Sequence, residues 1–234
     1  MKGLFSPDNP VIRFMIKVGY IWWLNILWLV CSLPIITIGA STTALIYSCM
    51  KLHKEEGYAT KNFFKSFKEN FKQSTIIWLF YVAVGAILTA DLYFWKQQSN
   101  GNKVVLGLSL AVLILYAISL SYVFAIQAKF VNSIKNTLLY SILLPFKNLK
   151  ETILILVTLG TVLYFNVTTV FLVNFFTLNV GVGFIVFLLA VFYNAVFERY
   201  IPKEEYSSRW ESVEEPLENG RESDKDLDET AKQR

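Results

Sequence analysis

Charged residues are missing from long stretches of this 234-residue chain. No Asp, Glu, Lys or Arg occurs in residues 18–50, 104–128 or 153–197, and only Asp91 interrupts residues 73–95. Because an apolar run of about 18 residues or more predicts a transmembrane helix, these gaps indicate a protein that crosses a membrane several times. They exclude a water-soluble enzyme.

Cysteine and histidine are also scarce, with two cysteines and one histidine in the chain. Cys31 and Cys49 lie inside the first apolar run, so we expect free thiols rather than a disulfide framework. His53 lacks the further ligands that a metal site requires. The sequence also lacks a phosphate-binding glycine-rich loop and a nucleophile elbow. We therefore expect no catalytic, cofactor-binding or metal site, and predict that the protein is not an enzyme.

The net charge of +4 combines two regions of opposite sign. Residues 1–197 contain 15 Lys and Arg against 6 Asp and Glu, whereas residues 198–234 contain 7 against 12. The basic residues lie beside the apolar runs, where they set orientation and attract anionic lipid, so nucleic acid is not an expected partner. We predict a transmembrane domain at 1–197 and an acidic, largely disordered cytoplasmic tail at 198–234.

The first apolar run is too long for a single span. At 1.5 Å per residue, residues 18–50 would extend about 50 Å as one helix, against roughly 30 Å of hydrocarbon. A proline in the middle of the run predicts a helical hairpin with its bend at 33–39. The candidate helix-break or packing residues are Pro34, Thr37, Gly39, Ala40 and Ala44. The small residues permit close packing, or alternatively a half-helix N-terminus that faces an anionic group.

The distribution of Lys and Arg predicts the orientation. Six spans with both termini inside place thirteen of the fifteen basic residues of 1–197 in the cytoplasm, whereas five spans with the N-terminus outside place ten there. We therefore expect an all-α, polytopic transmembrane helical bundle of about six spans, N-in/C-in, whose first two spans form the broken hairpin. The spans are predicted near residues 14–33, 40–50, 76–95, 104–128, 153–176 and 180–197. Whether residues 18–50 cross once or twice stays open.

Residues 61–75 predict an amphipathic interfacial helix. On a helical wheel, phenylalanines and lysines occupy opposite sides of this segment. The two sides comprise Phe63, Phe64, Phe67 and Phe71, and Lys61, Lys65, Lys68 and Lys72. Such a helix either docks a partner or anionic lipid at the cytoplasmic surface, or links and anchors the next span.

Two polar residues are candidates for a role inside the bilayer. Asp91 is the carboxylate that a proton- or cation-coupled transporter would use, although it lies about one turn from the predicted outer end of its span. Contact with headgroup water is the alternative for Asp91. Asn166, like Asn25 in the first apolar run, fits a residue that joins helices better than one that binds a ligand.

A set of residues in the first 80 positions forms a pattern that apolar spans alone do not explain. It comprises Phe5, Asn9, Pro10, Arg13, Phe14, Asn25, Trp28, Ser32, Leu33, Pro34, Thr37, Gly39, Ala40, Ala44, Phe63, Phe64, Phe67, Asn70 and Phe71. This pattern resembles the YesL family of uncharacterised membrane proteins, found chiefly in Gram-positive bacteria. The resemblance implies a multi-pass protein of the bacterial plasma membrane and no known catalytic residues.

Genes of YesL-like proteins often neighbour those for carbohydrate ABC uptake and polysaccharide breakdown. From the resemblance we expect a non-enzymatic integral membrane protein of unknown activity, accessory to a carbohydrate (ABC-type) uptake system. Its expected partners are the lipid bilayer and a sugar ABC permease or other membrane protein. The alternatives are a small transporter or channel for a sugar or ion and, with less support, a membrane-embedded enzyme.

Overall fold

The structure, a computed structural model, describes residues 10–97, 103–168, 174–175 and 177–200. Every regular element within these ranges is helical, which confirms the all-α fold class. The seven α-helices are α1 (Pro10–Ser32), α2 (Ile38–His53), α3 (Ala59–Gln97), α4 (Lys103–Lys129), α5 (Ile134–Lys147), α6 (Leu149–Thr168) and α7 (Val182–Phe197). A 3-10 turn at Ile35–Thr37 precedes α2, and a π-helical turn at Thr177–Gly181 precedes α7.

Several of these helices are long and apolar enough to cross a membrane. Five segments meet both conditions: Val11–Cys31, Ile35–His53, Ala59–Trp95, Lys103–Lys129 and Leu149–Thr168. The predicted sixth span at 180–197 corresponds to α7, which is apolar but has only 16 residues. Part of the predicted span at 153–176 lies outside the described residues. The long apolar helices identify an integral membrane protein.

α1 and α2 form the hairpin that the first apolar run predicts, with the bend inside residues 33–39. α1 ends at Ser32, and Pro34 has an extended backbone with φ −74° and ψ 116°. Proline ends the helix here because it has no N–H to donate and its ring crowds the preceding turn. The arms are longer than predicted, since α1 already begins at Pro10 and α2 at Ile38.

α3 is one continuous helix of 39 residues, about 58 Å long at 1.5 Å per residue. The sequence predicts an interfacial helix at 61–75 followed by a span at 76–95. The structure shows no helix boundary between them. The first half of α3 contains no glycine or proline that would end the helix. One buried side also continues across the predicted junction, with residues three to eight apart: Phe63, Ser66, Ser74, Ile77 and Tyr81.

α5 lies in the 129–152 stretch, for which the sequence predicts only a lysine-containing loop. Its buried residues are Thr137, Ser141 and Pro145, spaced four apart on one side of the helix. Its large exposed residues are apolar: Leu139, Tyr140, Ile142, Leu143 and Phe146. This arrangement reverses the usual amphipathic pattern of a water-exposed helix, so the hydrophobic periodicity does not reveal which side packs inward.

The chain divides into two compact units, Met1–Ala195 and Val196–Arg234. In the first unit, the core includes residues 122–128 of α4, all of which are buried, together with most of α2. In the second unit, residues 196–200 contain the last turn of α7 and a turn closed by bonds from Arg199 and Tyr200. Most of the predicted acidic tail at 198–234 lies outside the described residues.

Candidate functional site

The small residues of α2 lie at its contact with α3. A Cβ atom on Gly39 would lie 2.5 Å from the backbone oxygen of Ser74 and 2.6 Å from the Cβ atom of Trp78. Ala40 and Ala44 are completely buried. Of the two roles left open for this cluster, the structure therefore places these residues in close helix packing.

Hydrogen bonds fix the bend of the hairpin against α3. The Trp78 indole donates to the carbonyl oxygen of Ile35 at 2.9 Å. The Thr37 hydroxyl lies 2.6 Å from the carbonyl oxygens of both Cys31 and Pro34. The Cys31 carbonyl belongs to the last turn of α1, where carbonyl groups lack helical donors, so the Thr37 hydroxyl supplies one.

Six residues of α3 form an exposed surface that we call the cationic stripe. Its members are Lys61, Phe64, Lys65, Lys68, Phe71 and Lys72. They occupy an arc of about 120° at 100° per residue. The stripe therefore presents four ammonium groups and two aromatic rings on one side of a helix whose other side packs against the core.

Phe63 does not belong to this surface, although the helical wheel groups it with the other phenylalanines. Its side chain is fully buried, so the predicted docking role is wrong at this position. Phe67 is half-buried and connects Phe63 to Phe71, with ring centroids 6.3 Å and 5.4 Å apart. Phe63 shares this buried side of α3 with Ser66 and Ser74, so the side of α3 at Phe63 faces the core.

Asp91 joins two helices. Its Oδ1 atom accepts a hydrogen bond from the indole of Trp95 at 3.1 Å, and its Oδ2 atom accepts one from the hydroxyl of Ser109 at 2.5 Å. Since Ser109 belongs to α4, the carboxylate links α3 to α4 within an apolar surrounding. Both oxygen atoms are thus engaged by protein donors, as expected of a structural carboxylate.

Within the part of the chain that the structure describes, the side chain of Asn166 bonds to its own helix. Its side-chain amide donates to the carbonyl oxygen of Val162 at 2.8 Å, within α6 itself. A bond to the residue four positions earlier satisfies the amide locally and is the common solution for a polar residue in an apolar helix.

Asn25 has the interhelical role that the sequence suggests for both asparagines. Its fully buried side chain donates to the carbonyl oxygen of Leu178 at 3.2 Å and accepts from the backbone amide of Gly183 at 2.8 Å. Gly183 approaches closely enough that a Cβ atom there would lie 2.8 Å from the carbonyl oxygen of Ile21. The sequence signal for this role of Asn25 is an amide side chain within an uncharged run.

A buried polar network connects α3, α4 and α5. The Ser119 hydroxyl lies 2.5 Å from the hydroxyl of Tyr81 and 2.7 Å from that of Ser141. Nearby, Gln127 donates to Asn70 at 2.9 Å. This network explains why α5 turns its polar residues inward, because buried hydroxyls require partners.

One ion pair closes the hairpin at its other end. The Lys17 ammonium lies 2.5 Å from an Oε atom of Glu55, in the turn between α2 and α3. This hydrogen bond and charge hold the pKa of the Glu55 carboxyl below its ordinary value. Glu55 has a left-handed backbone, with φ 61°, in the same turn.

The described residues do not bring three or more His, Cys, Asp or Glu side chains together as a metal site would require. His53 instead packs edge-on against the ring of Phe187, with centroids 6.2 Å apart. Cys31 and Cys49 are both free thiols. The candidate functional features are therefore the cationic stripe, the contact of the hairpin with α3 and the hydrogen bonds of Asn25 to the segment at residues 178–183.

Comparison with known proteins gives one match. A family described as "Protein of unknown function, DUF624" matches residues 21–92. No curated protein and no solved structure matches the chain. The matched residues begin within α1 and end within α3, so they include the hairpin and the whole cationic stripe. Over this region, the chain is similar to an uncharacterised domain family.

Proposed function

We propose that this chain is a non-enzymatic integral membrane protein of a bacterial plasma membrane that assists a carbohydrate ABC-type uptake system. The observation that carries the proposal is the cationic stripe, which combines exposed ammonium groups with exposed aromatic rings. The resemblance to YesL-like proteins, whose genes neighbour carbohydrate uptake genes, supports the choice of partner. The match to residues 21–92 includes the stripe.

The stripe has the chemistry of a protein-binding surface. Aromatic residues supply contact area at interfaces, and charged residues around them steer association with a partner of opposite charge. On the opposite side of α3, Phe63 and Ser66 are buried in the core, so packing holds the helix that carries the stripe in place. An acidic cytoplasmic loop of a permease subunit would complement it.

The contacts of Asp91 support an accessory role over ion-coupled transport. A coupling carboxylate binds and releases a proton or cation in each cycle, and its hydrogen-bond partners change as it does so. Asp91 instead accepts hydrogen bonds at both oxygen atoms from Trp95 and Ser109. Breaking these bonds in every cycle would loosen the contact between α3 and α4.

A small transporter or channel is the second candidate, and the π-helical turn at Thr177–Gly181 favours it. Interrupted helices frame the binding sites of many transporters. In this chain the interruption lies beside the buried amide of Asn25. Proteoliposomes that contain the purified chain would take up a labelled sugar or ion if this candidate is correct.

Site-specific photo-crosslinking in native membranes tests the accessory role. A photoreactive residue at position 65 lies in the stripe, whereas one at Tyr93 lies on the exposed surface at the other end of α3. We expect a sugar permease subunit to be crosslinked from position 65 and not from position 93. Equal capture from both positions, or no permease subunit from either, would contradict the proposal.

A further inference from the structure

The hairpin of α1 and α2 ends beside Trp78 of α3. The Trp78 indole donates to the carbonyl oxygen of Ile35, and Gly39 lies against Ser74 and Trp78. Further along α2, the hydroxyls of Thr43 and Ser74 are 3.0 Å apart. α2 therefore runs antiparallel to the first half of α3, and the bend reaches about as far along α3 as Trp78.

The same half of α3 carries the cationic stripe, which limits how deeply the bend can enter a bilayer. Lys72 is exposed and precedes Trp78 by six residues, or about 9 Å along the helix. A lysine keeps its ammonium group at the membrane surface while its stem extends along apolar surroundings. The distance along α3 from Lys72 to Trp78, added to the length of the Lys72 side chain, places the bend at a depth of roughly 15 Å, half of the hydrocarbon core.

The bend itself exposes apolar side chains. Leu33, Ile35 and Ile36 are 79%, 74% and 55% exposed. A hairpin that crossed the whole bilayer would present these three residues to water on the far side. A hairpin that stopped within the bilayer would present them to acyl chains, which is the favourable environment for such surface.

The backbone of the bend is also suited to a water-free environment. Within hydrocarbon, a non-helical backbone is tolerated only where protein groups satisfy its hydrogen bonds. The carbonyl groups of Cys31 and Pro34 lie within hydrogen-bonding distance of the Thr37 hydroxyl, and that of Ile35 accepts from Trp78. The bend thus satisfies these carbonyls internally, although its side chains are uncovered.

We propose that the α1–α2 hairpin is a re-entrant membrane anchor rather than two crossings. It enters from the side of the cationic stripe, places Leu33, Ile35 and Ile36 among the acyl chains of that leaflet, and returns to the same side. The N-terminus and residues 51–75 stay on one side in this arrangement, so the Lys and Arg distribution agrees with it equally well. The proposal is independent of any uptake partner.

Cysteine labelling in intact cells and inverted vesicles tests the depth of the bend. The background carries Cys31→Ala and Cys49→Ala, and single cysteines replace Leu33 or Ile36. The control variants are Lys65→Cys for the stripe side and Lys103→Cys for the opposite end of the membrane helices. We expect a membrane-impermeant maleimide to label each control from one side only, and neither bend position from either side.

Nitroxide spin labels at positions 33 and 36 distinguish lipid from other surroundings. If the bend lies among acyl chains, we expect each nitroxide to collide often with dissolved oxygen, which is apolar, and rarely with a water-soluble nickel chelate. Maleimide labelling from the side of position 103 would show a complete crossing and overturn the proposal. Labelling from the side of position 65 would place the bend in water, and exclusion of both collision probes would show that protein covers it. Either result would also contradict a lipid-anchored bend.

Discussion

The side-chain oxygen of Asn25 accepts a hydrogen bond from the backbone amide of Gly183, 158 residues further along the chain, at 2.8 Å. The same side chain donates to the carbonyl oxygen of Leu178. One amide therefore holds the amino-terminal helix to both ends of the interruption before α7. Both partners are backbone groups of a distant segment, so this side chain helps to determine where the carboxy-terminal apolar segment docks.

Replacement of Asn25 by leucine removes both bonds and leaves buried backbone groups unsatisfied. We expect the free energy of unfolding to fall by about 1–3 kcal/mol, the usual penalty for buried polar groups that lose a partner. Thermal unfolding of the purified protein in detergent measures the change. Asn166→Leu is the matched control, because the Asn166 amide donates to the carbonyl oxygen of Val162 in its own helix and its loss should have a smaller effect. Equal stability losses in the two variants would contradict the bridging role.

Gly39→Ala tests the close contact of α2 with α3. The added Cβ atom would meet the backbone oxygen of Ser74, which cannot move like a flexible side chain. We expect a loss of about 1–3 kcal/mol in unfolding free energy, as for other overpacked interiors. Gly160→Ala in α6 is the control, because a Cβ atom there meets nothing within 4 Å. That variant should be neutral or more stable, since alanine favours helix by up to about 1 kcal/mol over glycine.

The hairpin was predictable from the sequence because length and proline chemistry act locally. A 33-residue uncharged run cannot cross as one straight helix, and Pro34 selects where it breaks. The environment of neighbouring phenylalanines was not predictable in this way. Phe63 and Phe64 are adjacent on the apolar side of the helical wheel, yet Phe63 is buried and Phe64 is exposed, because tertiary packing decides which side of α3 faces the core.

The inward side of α5 and the Asn25 bridge depend on contacts that periodicity does not encode. In a membrane protein, lipid accepts apolar residues, so apolar residues can face outward while Ser141 and Thr137 face the core. The partners of Asn25 are more than 150 residues away, and one sequence contains no record of that pairing. The candidate site was thus predictable as a set of residue types, but not as a set of contacts.

The ion pair of Lys17 and Glu55 predicts a dependence of stability on pH. The folded-state pKa of the Glu55 carboxyl is below its ordinary value of 4.5, so the ion pair stabilises the fold above that pH. The contribution is lost as pH falls through the depressed folded-state value. The midpoint temperature of thermal unfolding should therefore fall less between neutral and acidic pH for Glu55→Gln than for the unaltered protein. Glu69→Gln is the control, and an identical pH profile for all three proteins would contradict the assignment.

Charge removal from the cationic stripe tests its function in cells. Lys61, Lys65 and Lys68 are replaced together by glutamine. The matched control replaces Lys135, Lys147 and Lys150, which are also exposed and lie on α5 and at the start of α6. Loss of three surface charges should weaken partner binding by about 1–2 kcal/mol while leaving the core intact. We expect reduced carbohydrate uptake when the stripe variant complements a deletion strain, and near-normal uptake with the control. Uptake that falls equally in both would indicate a general charge effect. Unchanged uptake at normal protein levels would show that the stripe is not the contact surface.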